Sequence, residues 1–126
     1  MGYRSNVEVV FYTTDKEQLP MAALKLWFDE NYPKKEALDE WDAEITYGDD
    51  HVRVSYDDVK WYDGYEHPVE VNSVCADFAA IFEPETGTPF AHWEMVRTGE
   101  DADDIEQRFS PYAHYRLYVS RSIHFE

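Results

Sequence analysis

The sequence is short of cysteine, of positive charge and of long apolar runs. Cys75 is the single cysteine among 126 residues, so neither an internal disulfide nor a thiolate metal site can form. No stretch approaches the roughly 18 apolar residues that a membrane-spanning helix needs, so no membrane association is expected. The opening residues MGYRSN lack the apolar core of a secretory signal, and a lone cysteine fits a reducing cytosol.

Positive charge is scarce relative to negative charge. Lysines and arginines number 11 against 27 acids, and the formal net charge is −16. Such a field repels phosphate backbones, which argues against direct nucleic-acid binding, and it favours a partner with a basic surface or a divalent cation. An acidic surface also keeps a protein in solution without binding anything, and composition alone leaves that alternative open.

Apolar and aromatic residues, by contrast, are abundant. Hydrophobic residues make up 44% of the chain and aromatic residues 17%, which excludes a disordered acidic tail because such tails are poor in aromatics. A chain of this length is expected to form a single domain, residues 1–126, and to bury about two thirds of its unfolded surface.

Hydrophobic periodicity and turn residues predict the secondary structure. Thr14 and Glu17 form a capping box for a first helix, Gly48 lies in a hairpin turn, and Pro68 suits the first turn of a second helix. The predicted elements are, in chain order, a strand over 6–13, a helix over 14–31, a short helical piece over 34–41, strands over 43–47 and 51–56, a helix over 68–82, and strands over 90–98 and 114–120.

This order predicts an α+β protein. Strand, helix, two strands, helix and strand (βαββαβ) form the split βαβ unit of ferredoxin-like folds, with helices on one face of a mostly antiparallel sheet. We expect one extra C-terminal strand, over 114–120, beyond that unit. The acidic stretch Arg97–Arg108, RTGEDADDIEQR, is then a connector, with Ile105 as its anchor and Arg4 or Arg97 neutralising it.

That topology brings three unusual segments to one end of the sheet. The start of the first strand, the end of the third and the end of the fourth all lie there, and loops on a rigid scaffold often carry function. We therefore predict a composite binding surface made of Tyr3, Arg4, Trp61, Tyr62, Asp63, Tyr65, Glu100, Asp101, Asp103, Asp104 and Glu106.

The same three segments carry a resemblance to a known family. MGYRS at 1–5, WYDGY at 61–65 and GEDADDIE at 99–106 resemble motifs of a family of small tailed-phage and prophage proteins. The resemblance implies a phage or prophage origin, expression in the host bacterial cytoplasm and an accessory role. It brings no enzymatic activity to carry over.

The carboxylates allow two kinds of chemistry. Asp101, Asp103 and Asp104, with Asp63 as a fourth, are candidate ligands for Ca²⁺, which takes about six to eight oxygens, but their spacing is not that of an EF-hand loop. Paired carboxylates also act as general acid and base where an apolar pocket lies beside them, here walled by the aromatic residues of 61–65. Both interpretations rank below a solvated connector, and we predict no cofactor and no catalytic residue.

Other reactive residues fit ordinary structural roles. The histidines show no paired zinc-ligand spacing, although His92 and His114 lie on two predicted strands and can meet across the sheet. Cys75 faces the core side of its helix. Tyrosines and arginines interleave over 112–121, as on base-stacking sheets, but a tyrosine-rich strand is more often a cross-strand ladder.

The interpretation that fits these features best is a non-enzymatic accessory protein. Its acidic end binds a basic surface of a host protein, and a nuclease or defence complex is the sharpest candidate because spaced carboxylates imitate phosphates. The aromatic turn at 61–65 supplies the contact hot spot. Two alternatives stay open: a small-ligand or divalent-metal site at the Tyr3, Trp61 and Asp101 end, and a homo-oligomeric structural protein that dimerises through its last strand.

Overall fold

The computed structural model describes residues 3–32, 43–62, 66–84, 87–101, 103–120 and 122–126. The helical piece predicted over 34–41, and Asp63 and Tyr65 of the predicted surface, lie outside the described residues. The strands and helices are β1 (Ser5–Thr13), α1 (Met21–Asn31), β2 (Glu44–Tyr47), β3 (His51–Val59), α2 (Glu66–Ile81), β4 (Ala91–Thr98), β5 (Ile105–Phe109), β6 (Leu117–Ser120) and β7 (Ser122–Phe125).

Five of the strands form one sheet in the order β2-β3-β1-β4-β5, in which every neighbouring pair is antiparallel. The other two, β6 and β7, pair with each other as a C-terminal hairpin. Together with α1 and α2, this confirms the predicted α+β class and the mostly antiparallel sheet. The two apolar faces of β1 agree with its surroundings, because the helices pack on one face and the C-terminal hairpin packs on the other.

The predicted extra C-terminal strand over 114–120 is present only over 117–120, and it does not join the sheet. The fifth strand of the sheet is β5, which comes from the acidic stretch, and the later strand begins only at Leu117 as half of the hairpin. The backbone explains the late start, because Tyr112 and Tyr115 have φ values of 62° and 56°, which are incompatible with an extended strand. The stretch forms β5 because Arg97 stands opposite Glu106 in the β4–β5 register, and facing opposite charges favours pairing.

Helix α1 begins later than the capping pattern predicts. Asp15, rather than Thr14, caps the preceding turn, and its Oδ1 accepts hydrogen bonds from the backbone N–H groups of Glu17 at 3.0 Å and Gln18 at 3.3 Å. The helix itself starts at Met21, after an extended Pro20. A residue before proline is disfavoured in the helical region, so the turn and the helix cannot merge across this position.

The main core lies between the sheet and the two helices. Phe11 of β1 is fully buried, with ring centroids 5.4 Å from Trp27, 6.0 Å from Phe28 and 5.3 Å from Phe78. Burying a side chain of this size contributes roughly 1.5–3 kcal/mol, so this aromatic cluster fixes α1 and α2 against the sheet. Trp61 belongs to the same core and is 5% exposed.

The C-terminal hairpin covers part of the opposite face of the sheet. Leu117 packs there with Val10, Tyr12 and Val96, and partly buried residues of the hairpin surround this second cluster. Within the described ranges, no helix is long and apolar enough to cross a membrane.

Candidate functional site

The sheet brings the three unusual segments together at the end where β1 begins. The backbone N–H of Tyr3 donates a hydrogen bond to the hydroxyl of Tyr62 at 2.7 Å, and the Tyr3 hydroxyl donates to the Asp104 carboxylate at 2.6 Å. Arg4 adds bonds from its backbone N–H to Glu100 at 3.1 Å and from its side chain to the carbonyl of Asp58 at 3.1 Å. We call residues 3–5, 58–62, 97–101 and 103–106 the acidic end.

Arg97 on β4 holds the acidic end together. Its guanidinium donates to both carboxylate oxygens of Asp104, at 2.9 and 3.2 Å, to Glu106 at 3.2 Å and to the Ser5 hydroxyl at 3.1 Å. The hydrogen bonds from Arg97 lower the pKa of Asp104, and those to Asp104 raise the pKa of Arg97. Ile105 was predicted to anchor this stretch; it is 43% exposed, and Arg97 is the anchor instead.

The loop between β4 and β5 is fixed by its own backbone and by Tyr3. The backbone N–H of Gly99 donates a hydrogen bond to the carbonyl of Asp104 at 2.8 Å, and the N–H of Asp104 donates to the carbonyl of Asp101 at 3.0 Å. The N–H of Asp101 in turn donates to the Tyr3 hydroxyl at 3.1 Å. A Cβ at Gly99 would lie 2.1 Å from Asp104 Oδ2 and 2.2 Å from Tyr3 Oη. Position 99 is therefore glycine because Tyr3 and Asp104 meet directly against its backbone.

The carboxylates of the acidic end divide into two groups. Asp104 and Glu106 are neutralised by Arg97, whereas Glu100, Asp101 and Asp103 are exposed to solvent. The carboxylates of Asp101 and Asp103 make no hydrogen bond or ion pair with any other residue that the structure describes. The loop thus presents three accessible negative charges on a backbone that hydrogen bonds hold in place.

The aromatic part of the predicted surface is placed differently. Trp61 packs inward, with its ring centroid 5.0 Å from Tyr56 and 5.7 Å from His67, so the expectation that it supplies an accessible contact residue was wrong. An indole next to an apolar helix gains more from burial than from exposure. Tyr62 is half-buried, and its hydroxyl accepts the hydrogen bond from Tyr3.

A second polar cluster lies on the hairpin-covered face of the sheet, around the fully buried Glu94 of β4. This carboxylate accepts hydrogen bonds from the Tyr12 hydroxyl at 2.5 Å and from the backbone N–H groups of Leu117 at 2.9 Å and Arg116 at 3.1 Å. The buried carboxylate therefore ties the C-terminal hairpin to the sheet. The sequence signal for this cluster is the glutamate within the largely buried strand β4, AHWEMVRT. Hydrophobic periodicity alone did not single it out.

His92 and His114 meet beside this cluster, but His114 lies in the segment before β6 and not on a strand, so they do not meet across the sheet as predicted. Their ring centroids are 5.3 Å apart, and burial lowers the pKa of His92. An open cavity of about 650 Å³ lies next to them, with Tyr12, His114 and Arg116 in its wall. It is separated from the acidic end by the length of β1, and it contains none of the residues of the predicted surface.

The candidate metal ligands Asp101, Asp103 and Asp104 do not converge on a common point. Asp104 is occupied by Arg97 and Tyr3, and among the described residues no three histidines, cysteines or carboxylates are grouped so that they could hold a metal ion.

Comparisons with known proteins do not extend this picture. No protein-family model, no curated protein and no solved structure matches the chain.

Proposed function

We propose that this chain is a non-enzymatic protein whose acidic end binds a basic surface of another protein. One observation carries the proposal: Arg97 neutralises Asp104 and Glu106 and fixes the loop, and the three carboxylates that remain are exposed. If the acidic stretch served solubility alone, no bidentate arginine and no hydrogen bond from the Tyr3 hydroxyl would be needed to hold it. A fixed loop loses little conformational freedom on binding, which favours affinity.

The charge of the whole chain supports the same mode of binding. A net charge of −16 produces a field that speeds encounter with a cationic partner and repels other acidic surfaces. Because the accessible carboxylates Glu100, Asp101 and Asp103 are solvent-exposed, their attraction is screened by salt. Binding is therefore strongest at low ionic strength.

The partner class follows from the resemblance to tailed-phage and prophage proteins and from the chemistry of the loop. We propose a host protein of the bacterial cytoplasm with a groove of lysines and arginines, and in the sharpest version a nuclease or defence complex that is inhibited. Such grooves bind phosphate oxygens with the side chains that also bind carboxylates. The exposed carboxylates of 100–103 then take the place of nucleic-acid phosphates.

We also propose that the fold is of the ferredoxin-like type. The order β4-β1-β3-β2 within the sheet and the alternation of antiparallel neighbours support this assignment. In a split βαβ unit the start of β1 and the ends of β3 and β4 share one end of the sheet, which is the arrangement that assembles the acidic end.

The proposal is tested by capture from a bacterial lysate in low and high salt. A basic host protein should be retained in low salt, released in high salt, and displaced by added duplex DNA if its nucleic-acid groove is the binding site. Retention that is independent of salt would contradict an electrostatic site. Displacement by salt but not by DNA would exclude the nuclease-groove version and leave the basic-surface version standing.

A further inference from the structure

We propose that β5 is the pairing edge of a two-fold symmetric dimer, in which two copies of the chain join antiparallel about Gln107. The strand lies at the edge of the five-stranded sheet and pairs with β4 on one side. An open edge presents backbone groups that another strand can pair with. The proposal is independent of any basic partner, although β5 shares Ile105 and Glu106 with the acidic end.

The backbone hydrogen bonds just before and just after β5 show which of its N–H and C=O groups point toward β4. The N–H of Gly99 donates to Asp104, and the N–H of Ser110 donates to Trp93, at opposite ends of the β4–β5 ladder. Bonded and non-bonded pairs alternate in an antiparallel ladder, so even-numbered residues of β5 direct their N–H and C=O groups toward β4. Gln107 and Phe109 therefore direct both groups toward the open edge. Ile105 offers only its C=O there, because its N–H donates to the carbonyl of Asp103 at 3.1 Å.

The side chains of β5 are self-complementary in this register. The strand reads IEQRF, so antiparallel pairing about Gln107 places Glu106 opposite Arg108 of the second copy and Ile105 opposite its Phe109. Opposite charges and apolar pairs that face each other across antiparallel strands are stabilising. Ile105 is 43% exposed and the Arg108 side chain 41%, so both are accessible to a second chain. Within one chain Arg108 already donates to Glu106 at 2.6 Å, so the pairing of two copies shares this ion pair between the strands.

Neighbouring registers lack this match. Centring the pair on Glu106 or on Arg108 brings two like charges face to face, which is destabilising. The other edge of the sheet, β2, reads EITY and contains one charge with no basic residue to oppose it. Charged residues usually protect an edge from pairing, but in β5 their order makes them complementary to a second copy.

The test is sedimentation equilibrium of the full chain with two variants of β5. Gln107→Pro removes an N–H that points to the open edge, which an edge strand tolerates. Arg108→Glu places two glutamates opposite each other. Lys16→Glu, at an exposed site in the turn before α1, matches the charge change of Arg108→Glu and serves as the control.

We expect the wild-type protein and the control to reach the mass of two chains, more readily at high salt because screening reduces repulsion between copies of charge −16. Both β5 variants should remain monomeric, with circular dichroism spectra like that of the wild type. The amides of Gln107 and Phe109 should exchange slowly with solvent at high protein concentration and rapidly after dilution. A wild-type chain that stays monomeric at all concentrations, or a dimer that survives both β5 variants, would overturn the proposal.

Discussion

Tyr3 and Asp104 are separated by 101 positions in the chain, yet the Tyr3 hydroxyl donates a 2.6 Å hydrogen bond to the Asp104 carboxylate. The same hydroxyl accepts the N–H of Asp101 at 3.1 Å. One side chain at the start of β1 thus fixes both ends of the acidic loop. The shape of the acidic end consequently depends on the fold of the whole sheet.

Replacing Arg97 should destabilise the protein more than replacing an exposed arginine of the same end. Arg97→Gln leaves the carboxylate of Asp104 without its cation and Glu106 with Arg108 alone, which we expect to lower the free energy of unfolding by about 1–3 kcal/mol. Arg4→Gln, at an exposed site, should change it by less than about 0.5 kcal/mol. Urea denaturation measures both. Equal effects would show that Arg97 does not organise the acidic end.

Alanine at Gly99 should disturb the loop through contact with Tyr3 and Asp104. The added methyl group would lie 2.1 Å from Asp104 Oδ2, so one of the two side chains has to move. We expect a loss of about 1–3 kcal/mol, as for other overpacked sites. Asp103→Ala on the same loop should cost less than about 0.5 kcal/mol because the side chain is exposed. Thermal or urea unfolding that ranks the two variants in the opposite order would contradict this account of the glycine.

Stability should fall as the solution is acidified below neutral pH because of His67. Burial lowers the pKa of His67 from 6.5 to about 4, so between these values the unfolded chain binds a proton that the folded chain does not. The contribution of the neutral histidine is complete above pH 6.5 and is lost progressively toward pH 4, by up to about 3 kcal/mol. His67→Gln, which does not titrate, should lose less stability over the same range in urea denaturation. Parallel pH profiles of the two proteins would assign the acid sensitivity to other groups.

Divalent cations should leave the thermal midpoint unchanged. Asp104 is already held by Arg97 and Tyr3, and binding Ca²⁺ would require breaking those bonds to gather enough oxygen ligands. The midpoint should therefore be the same in CaCl₂, MgCl₂ and EDTA when the ionic strength is matched with KCl. A rise that depends on Ca²⁺ and disappears in Asp101→Asn would establish the cation site that the sequence left open.

The sequence predicts strands of the sheet well where apolar and polar side chains alternate. It predicts them less well where a strand forms only through pairing with a distant segment. The alternation of Val7, Val9 and Phe11 identifies the helix-facing side of β1, and the order of the elements leads to the meeting of Tyr3 with the acidic loop. Strand β5 was missed because a run of charged residues lacks the alternation of apolar and polar residues that predicts a strand. Its pairing depends on Arg97, which stands opposite Glu106 on the neighbouring strand.

The aromatic turn and the start of the first helix show the same limit. Nothing local distinguishes a buried Trp61 from an exposed one, because its partners Tyr56 and His67 come from β3 and α2. The capping pattern at Thr14 matches the residue types preferred at the start of a helix, but Pro20 separates the turn from helix α1. Contacts that are distant in sequence decide both outcomes.

The binding proposal is tested most directly by comparing two triple variants in the capture experiment. The first, Glu100→Gln with Asp101→Asn and Asp103→Asn, removes the accessible charges of the acidic end and leaves Asp104 and Glu106 in place. The second, Glu17→Gln with Asp77→Asn and Glu83→Asn, removes the same amount of charge from exposed positions elsewhere. The account predicts that the first variant loses a basic partner that the second retains at the same low salt. Equal retention by both variants would contradict it.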